Sequence, residues 1–162
     1  PMFGDEDRFL NWFVSIYRQF GKTLLVDGGA AKVQPVFVQD VASAIAAAAA
    51  DEWTVGKTLE LAGPEVLTYK EVAEYMFAVV RERPQIVNLP LSAAKLVGKA
   101  LNLTPFPVLT EDEMIRMSID TVLDPESKAV KLADFEIVPR TVESAGFNVL
   151  YLHRKGGHFI GS

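Results

Sequence analysis

No cysteine occurs in the 162 residues. That excludes a disulfide framework and any cysteine-ligated metal or cluster, and it is compatible with a reducing compartment. Histidine is nearly as scarce. His153 and His158 stand five apart beside Gly156-Gly157 with no carboxylate at ligand spacing, so they read as a solvated tail rather than a metal site. There is no basic cluster either: 16 Lys and Arg are scattered against 21 Asp and Glu, for a net charge of −5, so a nucleic-acid footprint is missing. The short basic stretch His153-Arg154-Lys155 suggests at most a peripheral contact with a membrane surface or an acidic partner. No apolar run approaches the ~20 residues that a bilayer-spanning helix needs. The sequence opens Pro1-Met2-Phe3-Gly4-Asp5, without an initiator Met or the basic and apolar regions of a targeting peptide. The expectation is a processed or incomplete chain.

What is present can fill a core, since 49% of the residues are hydrophobic and 10% aromatic. Residues 5–20 read as an amphipathic helix, with Asp5, Glu6 and Asp7 in its first turn and a stripe of Phe9, Phe13, Ile16 and Phe20. Leu24-Leu25-Val26 is a short strand and Asp27-Gly28-Gly29 a turn. Residues 32–38 form the next strand, with Pro35 confining part of it to a non-pairing position. Asp40 is expected to cap a helix over 41–50. That helix is almost all alanine, the best helix former and the smallest side chain that makes one, which predicts a slot packed closely between neighbours.

Residues 58–62 alternate like a strand and end at Gly63-Pro64. Thr68 with Glu71, and Thr110 with Glu113, have the spacing of capping boxes, opening helices to about Val80 and Met117. Further helices are predicted over 92–101 and 128–133, and another from Thr141 toward Leu150 that Gly146 weakens; 85–89 is a short extended segment. Strands alternating with longer helices indicate α/β. Only two or three good strands are present, whereas a complete doubly wound sheet has about five or six.

Several stretches, in order along the chain, resemble one family. "VQPVFVQDVASAIAAAA" is similar to the strand and Ala-rich helix of extended and atypical short-chain dehydrogenase/reductases. "PMFGDEDRFLN" resembles the loop after their sixth strand, without its usual Arg. "KTLELAGPEVLTYKEVAEYM" and "VLDPESKAVKLADFEIVPRTVESAG" resemble the later strand–turn–helix and the terminal segment. The resemblance covers nearly the whole chain. It implies the C-terminal portion of a Rossmann-like short-chain dehydrogenase/reductase fold, the last strands plus a small helical lobe. Residues 1–162 would form part of one NAD(P)-binding domain whose glycine-motif half is not in the sequence. Gly28-Gly29 and Gly156-Gly157 have the wrong spacing for that phosphate-binding turn and read as ordinary turns.

The resemblance extends to a non-catalytic branch of the family, the NADPH-binding accessory subunits of mitochondrial respiratory complex I. It implies structural binding of NADPH, other complex I subunits as partners, and a place on the matrix side of the inner membrane. Pro1, Met2, Phe3 and Gly4 would lie beside the nicotinamide end of the cofactor. Phe106, Val108 and Leu109 would offer apolar contacts to partner subunits. The alternative within the family is an NAD(P)-dependent oxidoreductase or nucleotide-sugar epimerase. Tyr151-x-x-x-Lys155 matches the catalytic signature of its active members, but it follows the terminal segment instead of preceding Pro1, so no catalytic residue is assigned. Arg8 follows three acids in a first helical turn, where the dipole disfavours a cation. It reads as a surface ion pair or as a holder of the cofactor loop.

Overall fold

The computed structural model describes residues 1–102 and 109–154. Its first helix, α1 (Leu10–Phe20), begins five residues later than the acidic run predicts. Asp7 is the cause. Its carboxylate accepts the backbone N–H of Gly4 (3.1 Å), Phe9 (3.1 Å) and Asn11 (2.8 Å), so the chain wraps around one side chain before the helix starts. Three backbone donors are thereby satisfied outside the helical ladder. Leu10, Phe13, Val14 and Ile16 form the buried face, Phe20 is exposed, and Gly21 ends the helix in the left-handed conformation.

Extended segments pair two by two. Strand β1 (Met2–Phe3) runs parallel to β4 (Val36–Phe37). Strand β2 (Thr23–Val26) runs parallel to β6 (Ile86–Leu89), with Thr23 opposite Ile86 and Val26 opposite Leu89. Strand β3 (Lys32–Val33) is antiparallel to β5 (Leu67–Thr68). The single strand expected over 32–38 is therefore two short ones that serve different partners. Pro35 has no N–H to continue a ladder, and its carbonyl takes the place that a side chain at Gly63 would fill, only 1.8 Å from the position of that Cβ. Gln34 ties the break by donating to the Gly63 carbonyl (2.9 Å) and accepting from the Leu123 N–H (3.0 Å).

The alanine helix α2 (Val38–Ala50) starts three residues before its expected first residue. Asp40 lies inside it rather than capping it: the buried carboxylate accepts the Arg140 N–H at 2.7 Å and stands 3.7 Å from the Arg140 guanidinium. The predicted close-packed slot is confined to one face. Ala44 is buried against Val36 and Leu132, while Ala42, Ala46 and Ala49 are exposed and Ile45 is 59% exposed. Alanine here serves helix propensity along most of α2 and close packing at Ala44 alone.

Both expected capping boxes form. Thr68 and Glu71 open α3 (Tyr69–Val80), and Thr110 and Glu113 open α5 (Glu111–Arg116). Between them α4 (Leu91–Leu101) matches its prediction within one residue. Residues 58–62 and 128–133 do not. Leu59 and Val130 meet in one isolated parallel bridge, and a 3₁₀ turn (Leu132–Phe135) stands where a helix was expected. Among the described residues neither extended segment has a second neighbour to lengthen the ladder. The last helix, α6 (Val142–Tyr151), is capped by Thr141. Its Gly146 is a packing residue: a Cβ there would stand 2.9 Å from Leu10 Cδ1, so the missing side chain lets α6 close on α1.

The core lies between α1, α3 and α6. Phe3, Phe13, Met76, Phe77 and Leu150 are almost wholly excluded from solvent, and Tyr17 meets Phe77 edge-on at 5.0 Å. Leu109 is also fully buried, which corrects its expected place on a partner-facing surface; it anchors the approach to α5. Phe106 and Val108 lie outside the described residues.

Candidate functional site

A cavity of about 490 Å³ opens where β1, α1 and α5 meet. Pro1, Met2, Phe3 and Gly4, the four residues that the sequence singles out for cofactor contact, all border it. Gly4 is required by proximity: a Cβ would come within 2.5 Å of Val38 Cγ1 at the start of α2. From Gly4 the wall continues through the loop wrapped around Asp7 to Phe9, Trp12 and Phe13 of the α1 region. Tyr69, Glu113, Arg116 and Met117 close the other side.

The aromatic groups are locked against one another. Phe9 meets Phe13 edge-on at 6.1 Å, and Tyr69 lies 6.3 Å from both rings. Two of the lining carboxylates are committed to backbone, Asp7 as described and Glu113 in its capping box with Thr110. Asp5 and Glu6 are exposed at the rim. Arg8 also stands on the cavity, exposed and without an ion pair among the described residues, so the surface-pair expectation is not met. Burial pushes the Tyr69 phenol pKa up, and the Arg116 charge opposes that rise, so a neutral hydroxyl and a guanidinium share one wall. The arrangement can enclose a flat apolar group and offer cationic and hydroxyl contacts to a polar substituent. Among the described residues no group of three or more acidic or histidine side chains could hold a metal ion.

The opposite end of the chain is more engaged than its composition predicts. His153 is no solvated tail: its Nε2 lies 2.8 Å from Asn11 Oδ1, and burial, then the Arg18 charge, lowers its pKa against an opposing Asp7. Arg154 donates to the Val79 carbonyl and stacks over Phe147 and Tyr151. Both side chains are thus tied within the chain. Tyr151, on the last turn of α6, is not among the residues that line the cavity. Lys155, Gly156-Gly157 and His158 lie outside the described residues.

Sequence reading missed Asp7 as an organiser of the loop, together with Tyr69, Arg116 and Met117 as wall residues. For Asp7 a signal existed, an Asp two residues before Phe9, the first member of the apolar helical stripe. For the other three, nothing local distinguishes cavity wall from ordinary helix surface.

Short parallel strand pairs, flanking helices and a cavity at a strand end define an α/β protein of partial Rossmann-like architecture. No protein-family model matches the chain. Over nearly its whole length it is related to the alpha subcomplex subunit 9 proteins of mitochondrial NADH dehydrogenase. The Arabidopsis thaliana protein "NADH dehydrogenase [ubiquinone] 1 alpha subcomplex subunit 9, mitochondrial" is 37% identical, across 99% of this chain and 42% of its own length. The Mus musculus protein of the same name is 36% identical across 94% of this chain and 40% of its own. The "NADH-ubiquinone oxidoreductase 40 kDa subunit, mitochondrial" of Neurospora crassa is 32% identical across 98% and 41%. The chain spans about two fifths of the length of these relatives.

Proposed function

We propose that this chain is the C-terminal portion of a non-catalytic accessory subunit of mitochondrial complex I. Its partners are other subunits of that complex, and it sits on the matrix side of the inner membrane. The observation that carries the reading is the end-to-end similarity to proteins named as subunits of that enzyme, at 37% identity for the Arabidopsis relative. The absence among the described residues of a helix long and apolar enough to cross a membrane is compatible with peripheral placement. NADPH is the ligand. Most of it is held by a glycine-motif half that completes the domain, and Pro1, Met2, Phe3 and Gly4 contact its nicotinamide end. The cavity supports this role through its apolar aromatic floor, which suits a flat ring, and through the hydroxyl and guanidinium on its far wall. Bound nucleotide then stabilises the subunit by mass action without turnover.

The test is a Met2→Glu substitution in the full-length subunit. Met2 is half-exposed on the cavity wall, so the fold should tolerate the change, while a new carboxylate there repels an anionic dinucleotide. NADPH affinity should fall, and native gels of mitochondria should show less of the subunit in the assembled complex. Undiminished NADPH affinity would remove residues 1–4 from the ligand site. Normal assembly combined with NADPH-dependent turnover of a carbonyl or nucleotide-sugar substrate would replace the accessory reading with the enzymatic one.

A further inference from the structure

We propose that the end of α6 sets the shape of the cavity's loop wall through a side-chain relay from His153 to Asn11 to the 4–9 loop. This rests on the reading of that cavity as the ligand site. His153 Nε2 stands 2.8 Å from Asn11 Oδ1, across 142 residues of sequence. The Asn11 Nδ2 donates to the Asp5 carbonyl at 3.0 Å, and the Asn11 backbone N–H donates to Asp7 Oδ1 at 2.8 Å. The other bonds of Asp7 go to the N–H groups of Gly4 and Phe9, both of which border the cavity. Both ends of the Asn11 amide are therefore used. Turning the amide over would face its oxygen toward the Asp5 carbonyl oxygen, so one orientation satisfies the network, and it requires a proton on His153 Nε2.

The relay has a fixed end and a free end. The α6 terminus is pinned to α1 by the Arg18 guanidinium on the His153 carbonyl, and to α3 by Arg154 on the Val79 carbonyl. The 4–9 loop has no strand or helix of its own and takes its form from Asp7 and Asn11. Whatever moves His153 releases the Asp5 carbonyl, and with it the wall that carries Gly4 and Arg8. A partner that engages the end of α6 would thus alter ligand affinity without touching the cavity.

The experiment compares hydrogen exchange at the Gly4, Phe9 and Asn11 amides in the full-length subunit and its variants, with NADPH titration alongside. His153→Leu removes the donor and should speed exchange at Gly4 and Phe9 about threefold to tenfold, the worth of one hydrogen bond, and weaken NADPH by a similar factor. His153→Gln offers an amide N–H at the same reach and should restore both. Should His153→Leu fail to fold, Asn11→Asp keeps the acceptor for His153 while losing the donor to Asp5, and should loosen the same amides. Unchanged exchange at Gly4 and Phe9 in the folded variants overturns the relay, as does a His153→Gln variant no better than Leu. If wild-type subunit fails to bind NADPH at all, the functional reading falls, while the exchange rates still decide the relay.

Discussion

Replacing Gly98 by alanine pits two well-measured effects against each other at one atom. Alanine is the better helix former by about 1 kcal/mol, so on propensity alone the change in α4 should stabilise. The added Cβ, however, would stand 2.7 Å from the Glu111 nitrogen, 2.8 Å from its Cα and 2.9 Å from the Thr110 carbonyl carbon. All three are backbone atoms at the capped start of α5, where Leu109 and Met114 are fully buried, so no flexible side-chain end can swing away. Overpacking of this kind costs about 2–3 kcal/mol, the upper part of its usual range. The net is a loss of about 1–2 kcal/mol, or about 2–8 °C in Tm for a domain of this size. Because Glu113, Arg116 and Met117 ride on the displaced helix, the cavity should also change shape, and the NADPH affinity proposed for it should fall. Gly21→Ala separates the two sources of strain: Gly21 has a φ of 67° and open space around it, so its cost of about 1 kcal/mol comes from conformation alone and should leave the cavity intact. A Gly98→Ala variant as stable as wild type by thermal unfolding would mean that α4 and α5 do not approach as closely as described.

The alanine helix offers a second contrast. Ala44→Leu should cost about 1–3 kcal/mol by overpacking against Val36 and Leu132, whereas Ala46→Leu, on the exposed side, should stay within about 0.5 kcal/mol. Urea midpoints compare the two, and equal losses would contradict the one-sided burial of α2. A third outcome concerns pH. Glu71 has its pKa held below its ordinary 4.5 chiefly by the Thr68 backbone N–H, then by the Thr68 hydroxyl. A depressed folded pKa contributes stability that is present above 4.5 and lost as pH falls through the lowered folded value. Glu71→Gln should therefore flatten the acid limb of a stability-versus-pH curve, and an unaltered limb would deny the box its charged partner.

Helices with a chemical start signal were legible. Thr68, Thr110 and Thr141 each placed a helix because one side chain satisfies backbone donors that nothing else reaches. Asp40 misled by the same logic: an Asp before an apolar run looks like a cap, but a partner 100 residues away, the Arg140 N–H, claimed its carboxylate. Strands failed differently. Residues 58–62 alternate correctly, yet alternation records only that one face can be buried, and a ladder also needs a neighbour along its length. The single bridge from Leu59 to Val130 is what these residues find. Pro35 was read correctly as a break, while the consequence, two strands facing different partners, depends on where Met2 and Leu67 lie.

The candidate site was half legible for a related reason. Residues 1–4 could be named because a contiguous motif resembles a family, and motifs survive in one dimension. The opposite wall consists of Tyr69 from the start of α3 and Arg116 and Met117 from the end of α5, brought to Gly4 by helices whose own sequence patterns encode only burial and capping. Asn11 and His153 are more remote still, meeting across 142 positions. Yet both carried one-dimensional hints that make sense in three: Asn11 is a poor helix former inside the helix predicted over 5–20, and His153 follows a helix of largely apolar residues. Each is a polar group at a position where helix propensity gains nothing from it. Asn side chains favour hydrogen bonds outside the helical ladder, and here the Asn11 amide reaches the Asp5 carbonyl on one side and His153 Nε2 on the other. On that reasoning the loop wall of this cavity belongs to the end of α6 as much as to the residues that line it.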